Sequence, residues 1–303
     1  MLKRALSRAA GSRRLERMVI ENPILNKPAH RFIAGERLDE AIAAAMHLQT
    51  LGISALLDLV GEGVTDQAGA QAATSEYVDA LEAIAERGLD GEISVKLTQL
   101  GQSVDRAACQ ENLNRILDRA KELGIPVEID MEDHTLVSDT LIFFRDAVAR
   151  YPAVRLAMQA MLRRTLSDFY ALADVKPRVR LVKGAYNEPI EVAERDKKGV
   201  DAQFKLLTDW LMAHGGDPAF GTHDDALIDY ARGAAAREGK GKKDFEIQML
   251  YGVRRDLQEQ LARDGHRVRI YIPYGAAWYP YFVRRLAERP ANLLFLLRAL
   301  IGR

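Results

Sequence analysis

Apolar residues follow two repeating patterns along this 303-residue chain. Short runs rich in Val, Ile and Leu alternate with longer segments whose apolar positions recur every three or four residues. The short runs are typical of buried parallel strands, and the longer segments are typical of amphipathic helices. Strands are predicted at residues 53–60, 93–97, 126–131, 154–159, 179–183, 219–222, 245–250 and 268–272.

The segments between these strands have helical periodicity. Helices are predicted at residues 74–87, 109–123, 138–151, 202–214, 225–238 and 252–264. Eight strands separated by helices favour an α/β fold, the (β/α)8 barrel of the TIM class. An open, doubly wound sheet is the alternative, and it commonly has a G-x-G-x-x-G sequence after its first strand. This chain has Gly61-Glu62-Gly63-Val64 at that point, which favours the barrel.

Both ends of the chain lie outside this repeating pattern. Residues 1–50 are predicted to be helices broken by Pro23 and Pro28, and to pack on a catalytic barrel formed by residues 51–303. The first twenty residues are basic, and their sparse apolar positions indicate an ordinary amphipathic helix rather than a transit peptide. The apolar residues 293–297 are expected either to pack on the barrel or to contact a membrane surface.

Composition narrows the classes of protein that the chain can belong to. Lys and Arg together number 43, as do Asp and Glu, and this zero net charge argues against a general nucleic-acid-binding protein. Cys109 is the only cysteine, so an internal disulfide and a thiolate metal cluster are both excluded. Its place at a predicted helix start indicates a structural role. No apolar run approaches the ~18–20 residues that cross a bilayer. We expect a cytoplasmic protein, with peripheral contact at the inner face of the cell membrane as an option.

The predicted strands end at polar residues in nearly every case. The side chains at or just after these ends are Lys96, Asp130, Gln159, Arg180, Lys183, Tyr186, Thr222, His223, Asp224, Gln248, Tyr271 and Tyr274. Solvation alone does not explain so regular a pattern. Because active sites of barrels of this type lie at the carboxyl ends of the strands, these residues are predicted to form one.

These residues allow more than one kind of chemistry. Lys96 or Lys183 could form a Schiff base with a carbonyl substrate, so a lyase or aldolase of the TIM-barrel class is the alternative function. The acidic segment 130–134 could hold a metal, but neighbouring strand residues point to opposite faces, and we predict no metal site. Thr222 or Asp224 is expected to cap the next helix, whose amides would also suit a pyrophosphate.

An arginine pair follows the eighth predicted strand. One face of a helix here would carry Tyr281, Arg284, Arg285 and Glu288, because the last three follow Tyr281 by three, four and seven positions. Two adjacent guanidinium groups form a receptor for a planar anion such as a carboxylate or a phosphate. Taken alone, the pair would favour a solvated basic face, but the polar strand ends that precede it favour an anion site.

Five motifs make the chain similar to a known family. They are SVKLTQLG at residues 94–101, RLVKGAY at 180–186, GTHD at 221–224, RIYIPYG at 269–275 and YFVRRLAE at 281–288. Their order and spacing resemble the proline dehydrogenase family from about residue 50 to the end of the chain. The size resembles the compact monofunctional bacterial members, without the aldehyde dehydrogenase or ribbon-helix-helix modules of longer relatives.

The resemblance implies a distorted (β/α)8 barrel with non-covalently bound FAD. It implies the first step of proline catabolism, the oxidation of L-proline to Δ1-pyrroline-5-carboxylate by hydride transfer from C5 to flavin N5. The expected partners are L-proline, a membrane quinone as electron acceptor and pyrroline-5-carboxylate dehydrogenase downstream.

The resemblance also implies a role for individual residues. Arg284, Arg285 and Lys96 would bind the substrate carboxylate, and Asp130 would lie near the amine. The ring would be lined by Tyr271, Leu250, Tyr186 and Tyr281, and Tyr281 is expected to exclude hydroxyproline. FAD would be contacted by Arg180 at the N5 edge, by Gln159, Lys183, Gly184 and Ala185 near the ring, and by Thr222, His223, Asp224, Glu288 and Lys205 toward the pyrophosphate and adenosine. Asp224 departs from the Asn that many members of the family carry.

Overall fold

Eight parallel strands close into a barrel in which each strand pairs with the next and the last pairs with the first. The computed structural model describes residues 29–61 and 64–288, with side chains for all of these except Ala29 and residues 284–288. The strands are β1 Ser54–Leu59, β2 Gly91–Val95, β3 Val127–Ile129, β4 Val154–Gln159, β5 Arg178–Val182, β6 Ala219–Gly221, β7 Glu246–Leu250 and β8 Arg267–Tyr274. The predicted barrel and its eight strands are confirmed.

Helices connect the strands on the outside of the barrel. In the described part of the chain they are α1 Leu38–Thr50, α2 Gln67–Glu86, α3 Arg106–Leu123, α4 Val137–Arg150, α5 Thr165–Ala171, α6 Lys197–His214, α7 Asp225–Arg237, α8 Arg255–Arg263 and α9 Trp278–Glu288. The six predicted connecting helices are confirmed, and α9 is the predicted arginine helix. The short α5 was not predicted.

Aspartate side chains set the starts of three helices. Asp66, Asp105 and Asp196 each accept hydrogen bonds from backbone amides in the first turn of α2, α3 and α6. These caps place the starts three to seven residues before the positions that apolar periodicity predicted. The predicted cap of α7 is confirmed, because the Asp224 carboxylate accepts from the amide of Ala226 at 3.2 Å.

The two faces of the strands differ sharply in polarity. The outward residues are aliphatic and pack under the helices in one large core, as Ile93, Val127 and Leu156 do. The inward residues of the same strands are mostly charged or amide-bearing, as Glu92, Glu128 and Gln248 are, and all three are buried. The barrel interior is therefore polar, which inverts the usual filling of such a barrel with branched apolar side chains.

Paired charges fill the amino-terminal half of the barrel interior. Arg155 is fully buried and lies 3.3 Å from Glu92, 3.1 Å from Glu246 and 2.6 Å from Asp217. We call this group the ionic layer, and it consists of Glu92, Arg155, Arg178, Asp217, Glu246, Arg267 and Arg269. A buried charge is tolerated only when it is paired, and the layer meets this condition with several arginine–carboxylate contacts.

The segment before α1 contacts α9 at the other end of the chain. Phe32 and Ile33 pack with Trp278 and Phe282 in a second, smaller apolar cluster. The indole of Trp278 donates to the Glu36 carboxylate at 2.9 Å. The start of the described chain thus fixes the helix that carries the arginine pair. Of the predicted helical segment 1–50, the structure describes residues 29–50, which include α1. Residues 1–28 lie outside the described part, and the predicted division of the chain at residue 50 stays a prediction.

Two further sequence predictions concern Cys109 and the membrane. Cys109 is fully buried in the first turn of α3, and burial raises the pKa of its thiol to about 12, so its role is structural. Among the residues that the structure describes, no helix is both long enough and apolar enough to cross a membrane. The apolar residues 293–297 lie outside that part, and their predicted contact with the barrel or a membrane stays a prediction.

Candidate active site

Five side chains, each in or just after a different strand, meet inside the barrel near the carboxyl ends of the strands. Lys96 Nζ lies 2.9 Å from Asp130 Oδ2, and the Tyr271 hydroxyl donates to the same oxygen at 2.8 Å. Lys96 also forms an ion pair with Asp58, and Arg180 forms one with Asp130. All but Tyr271 are at least nine-tenths buried, so the cluster is shielded from bulk water. The structure therefore brings together Lys96, Asp130, Arg180 and Tyr271, as predicted.

The charges of this cluster support one another. Burial would raise the pKa of Asp130, but Lys96 and Arg180 together hold it well below its usual range. Burial would likewise lower the pKa of Lys96, but Asp58, Tyr271 and Asp130 raise it well above its usual range. Burial, and then the Asp130 charge, raise the pKa of Tyr271 well above its ordinary value. The cluster is thus an ionised lysine and carboxylate beside a neutral phenol.

This environment argues against a Schiff base at Lys96. A Schiff-base lysine has to lose its proton, and it usually lies in an apolar pocket or beside another cation. Lys96 instead lies between the carboxylates of Asp58 and Asp130. The other candidate, Lys183, is similarly paired, at 2.5 Å from Asp201 and 3.1 Å from Asp224.

A second group of charges lies where β5, α6 and α7 meet. Lys197 joins Lys183 there, and both ammonium groups contact the carboxylates of Asp201 and Asp224. The two lysines balance the two aspartates. Thr222 lies beside this group and its hydroxyl accepts from the amide of Asp224 at 3.2 Å. The predicted cofactor residues Lys183, Thr222 and Asp224 are therefore neighbours.

The loop after β6 is tied to the end of β7. The amide of Leu250 donates to His223 Nε2 at 2.9 Å, so Nε2 is the acceptor nitrogen of that ring. Arg254 donates to the His223 carbonyl at 3.1 Å and pairs with Asp225 at 2.8 Å. A residue predicted to contact the cofactor is thereby connected to one predicted to line the substrate.

The end of β4 and the loop after β5 supply the next predicted cofactor residues. Gln159 is buried and donates to the Glu132 carbonyl at 2.7 Å, and its Oε1 has no donor among the described residues. Gly184 has φ +111, a conformation that glycine adopts readily. Ala185 is exposed, and the ring of Tyr186 is half-buried against the core. This loop therefore leaves backbone accessible beside a buried amide.

Five of the predicted residues do not belong to these groups in the described part of the structure. The side chains of Arg284, Arg285 and Glu288 lie outside the described part, although their backbone belongs to α9. Lys205 places its ammonium 5.3 Å from the centre of the Tyr230 ring, between α6 and α7, rather than beside Lys183. Tyr281 is described and is buried in the apolar cluster with Trp278 and Phe32.

Comparison with known proteins identifies the family. The family model described as proline dehydrogenase matches residues 41–298. A proline dehydrogenase of Deinococcus radiodurans is 41% identical over 278 residues, which cover 90% of both chains. Proline dehydrogenase 1 of Bacillus subtilis subsp. natto is 38% identical over 273 residues, again covering 90% of both.

This chain belongs to the proline dehydrogenase family. As a member it is an enzyme and an oxidoreductase, which confirms the resemblance carried by the five motifs. The family is flavin-dependent in general, and its activity belongs to proline catabolism.

A solved structure supports the fold of this proline dehydrogenase family member. It is proline utilization A from Bdellovibrio bacteriovorus inactivated by N-propargylglycine, with a TM-score of 0.81 and 24% identity. The match covers 86% of this chain and 32% of that chain, so the present chain spans about a third of the length of that protein. At this identity the likeness concerns the barrel fold.

The sequence analysis missed three residues that the structure places in this family's barrel interior or at its rim. Asp58 forms an ion pair with Lys96, Glu128 with Arg180, and Asp201 with Lys183. For the first two a signal exists, because a single acid in an apolar strand pattern must face a polar interior. Asp201 is surrounded by ordinary helical sequence and carries no comparable signal.

Proposed function

We propose that this enzyme oxidises L-proline to Δ1-pyrroline-5-carboxylate with FAD as its redox cofactor. Its family and the names of its relatives support proline as the substrate. The observation that carries the assignment to this site is the cluster around Lys96, a buried and protonated amine at the carboxyl end of the barrel. A substrate carboxylate needs such a cation, and Lys96 supplies it, with Arg284 and Arg285 as its proposed partners.

The residues present fit a flavin. The buried Oε1 of Gln159 is an acceptor without a donor among the described residues, which suits an N–H of a flat heterocycle. The positive φ of Gly184 and the exposed Ala185 allow close approach of a ring to the backbone. Lys183 and Lys197 lie beside the amino ends of α6 and α7, which suits a pyrophosphate.

The protein side chains would hold and orient the substrate. Lys96, with Arg284 and Arg285 as proposed, would fix the carboxylate of proline. Leu250, Tyr186 and Tyr281 would bound the ring, and Tyr271 would cover it from the barrel side. When bound, FAD would supply the chemistry by accepting at N5 the hydride that leaves C5 of proline. Orientation of C5 toward the cofactor is thus the main contribution of these residues.

Asp130 is not proposed as the base for the substrate amine. Its carboxylate already accepts from Lys96, Arg180 and Tyr271, and the charges of Lys96 and Arg180 keep its pKa well below the usual range. A carboxylate with so low a pKa is a weak proton acceptor at neutral pH. Asp130 is instead assigned to holding Lys96, Arg180 and Tyr271 in place, and the amine proton leaves to solvent.

Flavin bleaching tests the proposal directly. The purified enzyme should be yellow, and its flavin absorption should bleach under anaerobic conditions on addition of L-proline. A panel of cyclic amino acids, including hydroxyproline, then measures the substrate range. A colourless protein that borohydride traps with a keto substrate would overturn the proposal in favour of the Schiff-base lyase.

Electron transfer beyond the flavin is proposed on the family resemblance. A short-chain quinone should reoxidise the reduced enzyme, and its rate can be compared with that of a soluble dye. We also propose a cytoplasmic enzyme with peripheral contact at the inner face of the cell membrane, which a vesicle sedimentation assay tests. Pyrroline-5-carboxylate dehydrogenase is the proposed consumer of the product.

A further inference from the structure

Every edge of the Arg180 guanidinium has a partner. Nε lies 2.8 Å from Glu128 Oε1, Nη2 pairs with Asp130, and Nη1 donates to Gln248 Oε1 at 3.5 Å. Its centre lies 5.1 Å from the centre of the Tyr271 ring. Arg180 is 7% exposed, so these contacts rather than solvent determine where its charge lies.

Glu128 contacts the Arg180 guanidinium from the side of the ionic layer. It is fully buried and lies two residues before Asp130, on the same inward face of β3. Its contact with Nε is ionic, because the N–H is not aligned with Oε1. The other oxygen accepts from Gln248 at 3.1 Å and lies 3.6 Å from Arg155 of the ionic layer. Glu128 thus connects the ionic layer with the active-site cluster.

We propose that Glu128 is a positioning residue that fixes the Arg180 guanidinium and, with Asp130, limits the positive charge presented to the redox cofactor. This inference rests on the proposed function, and on the family resemblance, which implies that Arg180 lies at the N5 edge of the flavin. Two carboxylates on one arginine leave less net positive potential at the position of the flavin than a single ion pair would leave. The reduced, anionic form of a flavin is favoured by positive potential, so Glu128 would keep the reduction potential lower.

Replacement of Glu128 by Gln keeps the shape of the side chain and removes its charge. Glu128→Gln is expected to move the midpoint potential of the bound flavin to a more positive value. The more positive potential alone would favour reduction of the flavin. Because the Arg180 guanidinium also loses its fixed position, the rate of flavin reduction by proline should nevertheless fall about tenfold. The KM for proline should change less than about twofold, because Lys96 and its partners remain in place.

Glu92→Gln is the matched control. Glu92 is an equally buried carboxylate of the same barrel interior, but it pairs with Arg155 at 3.3 Å and Arg269 at 3.4 Å rather than with Arg180. Its loss should lower thermal stability about as much as the loss of Glu128. It should leave the flavin potential and the rate of flavin reduction near the wild-type values. A role that is merely structural would make the two variants alike.

Three outcomes would overturn the proposal. The first is an equal shift of the flavin midpoint potential in Glu128→Gln and Glu92→Gln. The second is an unchanged flavin potential in Glu128→Gln. If Glu128→Gln does not fold, Glu128→Asp replaces it as the test, because the shorter side chain keeps the charge but moves it away from Arg180 Nε. The third outcome that would overturn the proposal is flavin reduction at the wild-type rate in Glu128→Asp. A crystal structure of whichever variant folds gives a readout without flavin, since the Arg180 guanidinium should be displaced. A wild-type protein that proline cannot reduce would instead refute the proposed function and leave that structural readout intact.

Discussion

At the scale of single residues, the departure from the family pattern at Asp224 has a physical explanation. Its carboxylate is balanced by Lys183 and Lys197 and caps α7, so the extra negative charge is compensated locally. The resemblance marked this position as a departure, and only the structure shows the two lysines that balance it. The resemblance implies a cofactor role for Lys183 but assigns none to Lys197.

Asp224→Asn should tighten FAD binding about two- to fivefold, since one partly exposed ion pair is worth about 0.2–1 kcal/mol. Asn caps a helix as well as Asp does, so α7 should be preserved while both lysines gain freedom to meet a pyrophosphate. Titration of FAD into apoprotein, followed by flavin fluorescence, measures the change. Asp209→Asn removes an acid that pairs with Arg237 on the same two helices, and it should leave the affinity unchanged. Equal affinities in all three proteins would place the pyrophosphate elsewhere.

His266 should make the stability of the protein depend on pH. Burial, then the charges of Arg232 and Lys242, lower its pKa to about 4, and Arg232 donates to its Nε2 at 3.1 Å. The unfolded chain binds this proton first as the pH falls below the ordinary value of about 6.5, so stability is lost between there and about 4. The free energy of unfolding should drop by about 2 kcal/mol from pH 7 to pH 5.

Urea unfolding at the two pH values measures this loss. His266→Gln keeps an acceptor for Arg232 but cannot take up the proton, and its stability should change little over the same range. His47→Gln alters an exposed histidine on α1 and should retain the dependence of the wild type. A His266→Gln variant that loses as much stability as the wild type would assign the effect to other groups.

At the scale of elements, the position of the segment before α1 depends on a close backbone contact. Gly252, in the turn after β7, has φ +73, and a Cβ there would lie 1.7 Å from the Arg31 carbonyl oxygen. Gly252→Ala should therefore displace this segment and with it the start of α9, which packs on Phe32. The variant should lose more stability than backbone strain alone costs, which is about 1–3 kcal/mol, and its KM for proline should rise.

Gly239→Ala is the control that separates the cost of backbone strain from the cost of the steric clash with Arg31. Gly239 has φ +67, close to that of Gly252, but no atom lies within 4 Å of a Cβ built there. It should lose only the strain energy and keep the wild-type KM. Denaturant unfolding and steady-state kinetics of both variants give the comparison. Equal losses in the two would mean that the contact with Arg31 contributes nothing.

The sequence predicted the strands and helices more accurately than it predicted the contacts of single residues. Apolar runs located all eight strands, because a parallel strand that is covered by helices needs a continuous aliphatic outer face. Helix starts were less accurate, since Asp66, Asp105 and Asp196 cap segments whose first turns are polar or small. The five family motifs contain Lys96, Arg180 and Tyr271. Asp130 lies outside them and was predicted from its place at the end of the third strand, whereas the partners Asp58 and Glu128 were not predicted.

At the scale of the whole molecule, the barrel has two interiors of different polarity. The aliphatic core lies between strands and helices, and the charged interior runs from the ionic layer through Glu128 to the active-site cluster. The polar residues of β2, β5, β7 and β8 occur at every second position, which is a pattern of period two. That pattern could have been noticed in the sequence. The pairing of particular arginines with particular acids could not, because it depends on the register of strands far apart in the chain.

The ionic layer should make the fold sensitive to loss of a single arginine. Arg155→Met replaces a fully buried cation by an apolar side chain of similar length, and it leaves Glu92, Glu246 and Asp217 short of one partner each. Loss of one member of a buried ion pair costs about 3–5 kcal/mol, because the remaining charges stay desolvated. Arg145→Met, which removes a half-exposed arginine paired with Asp174, should cost less than about 1 kcal/mol. Denaturant unfolding of both variants gives the two values. Similar small losses would mean that the buried carboxylates take up protons or find new partners when Arg155 is absent, and the layer would then contribute little to the stability of the barrel.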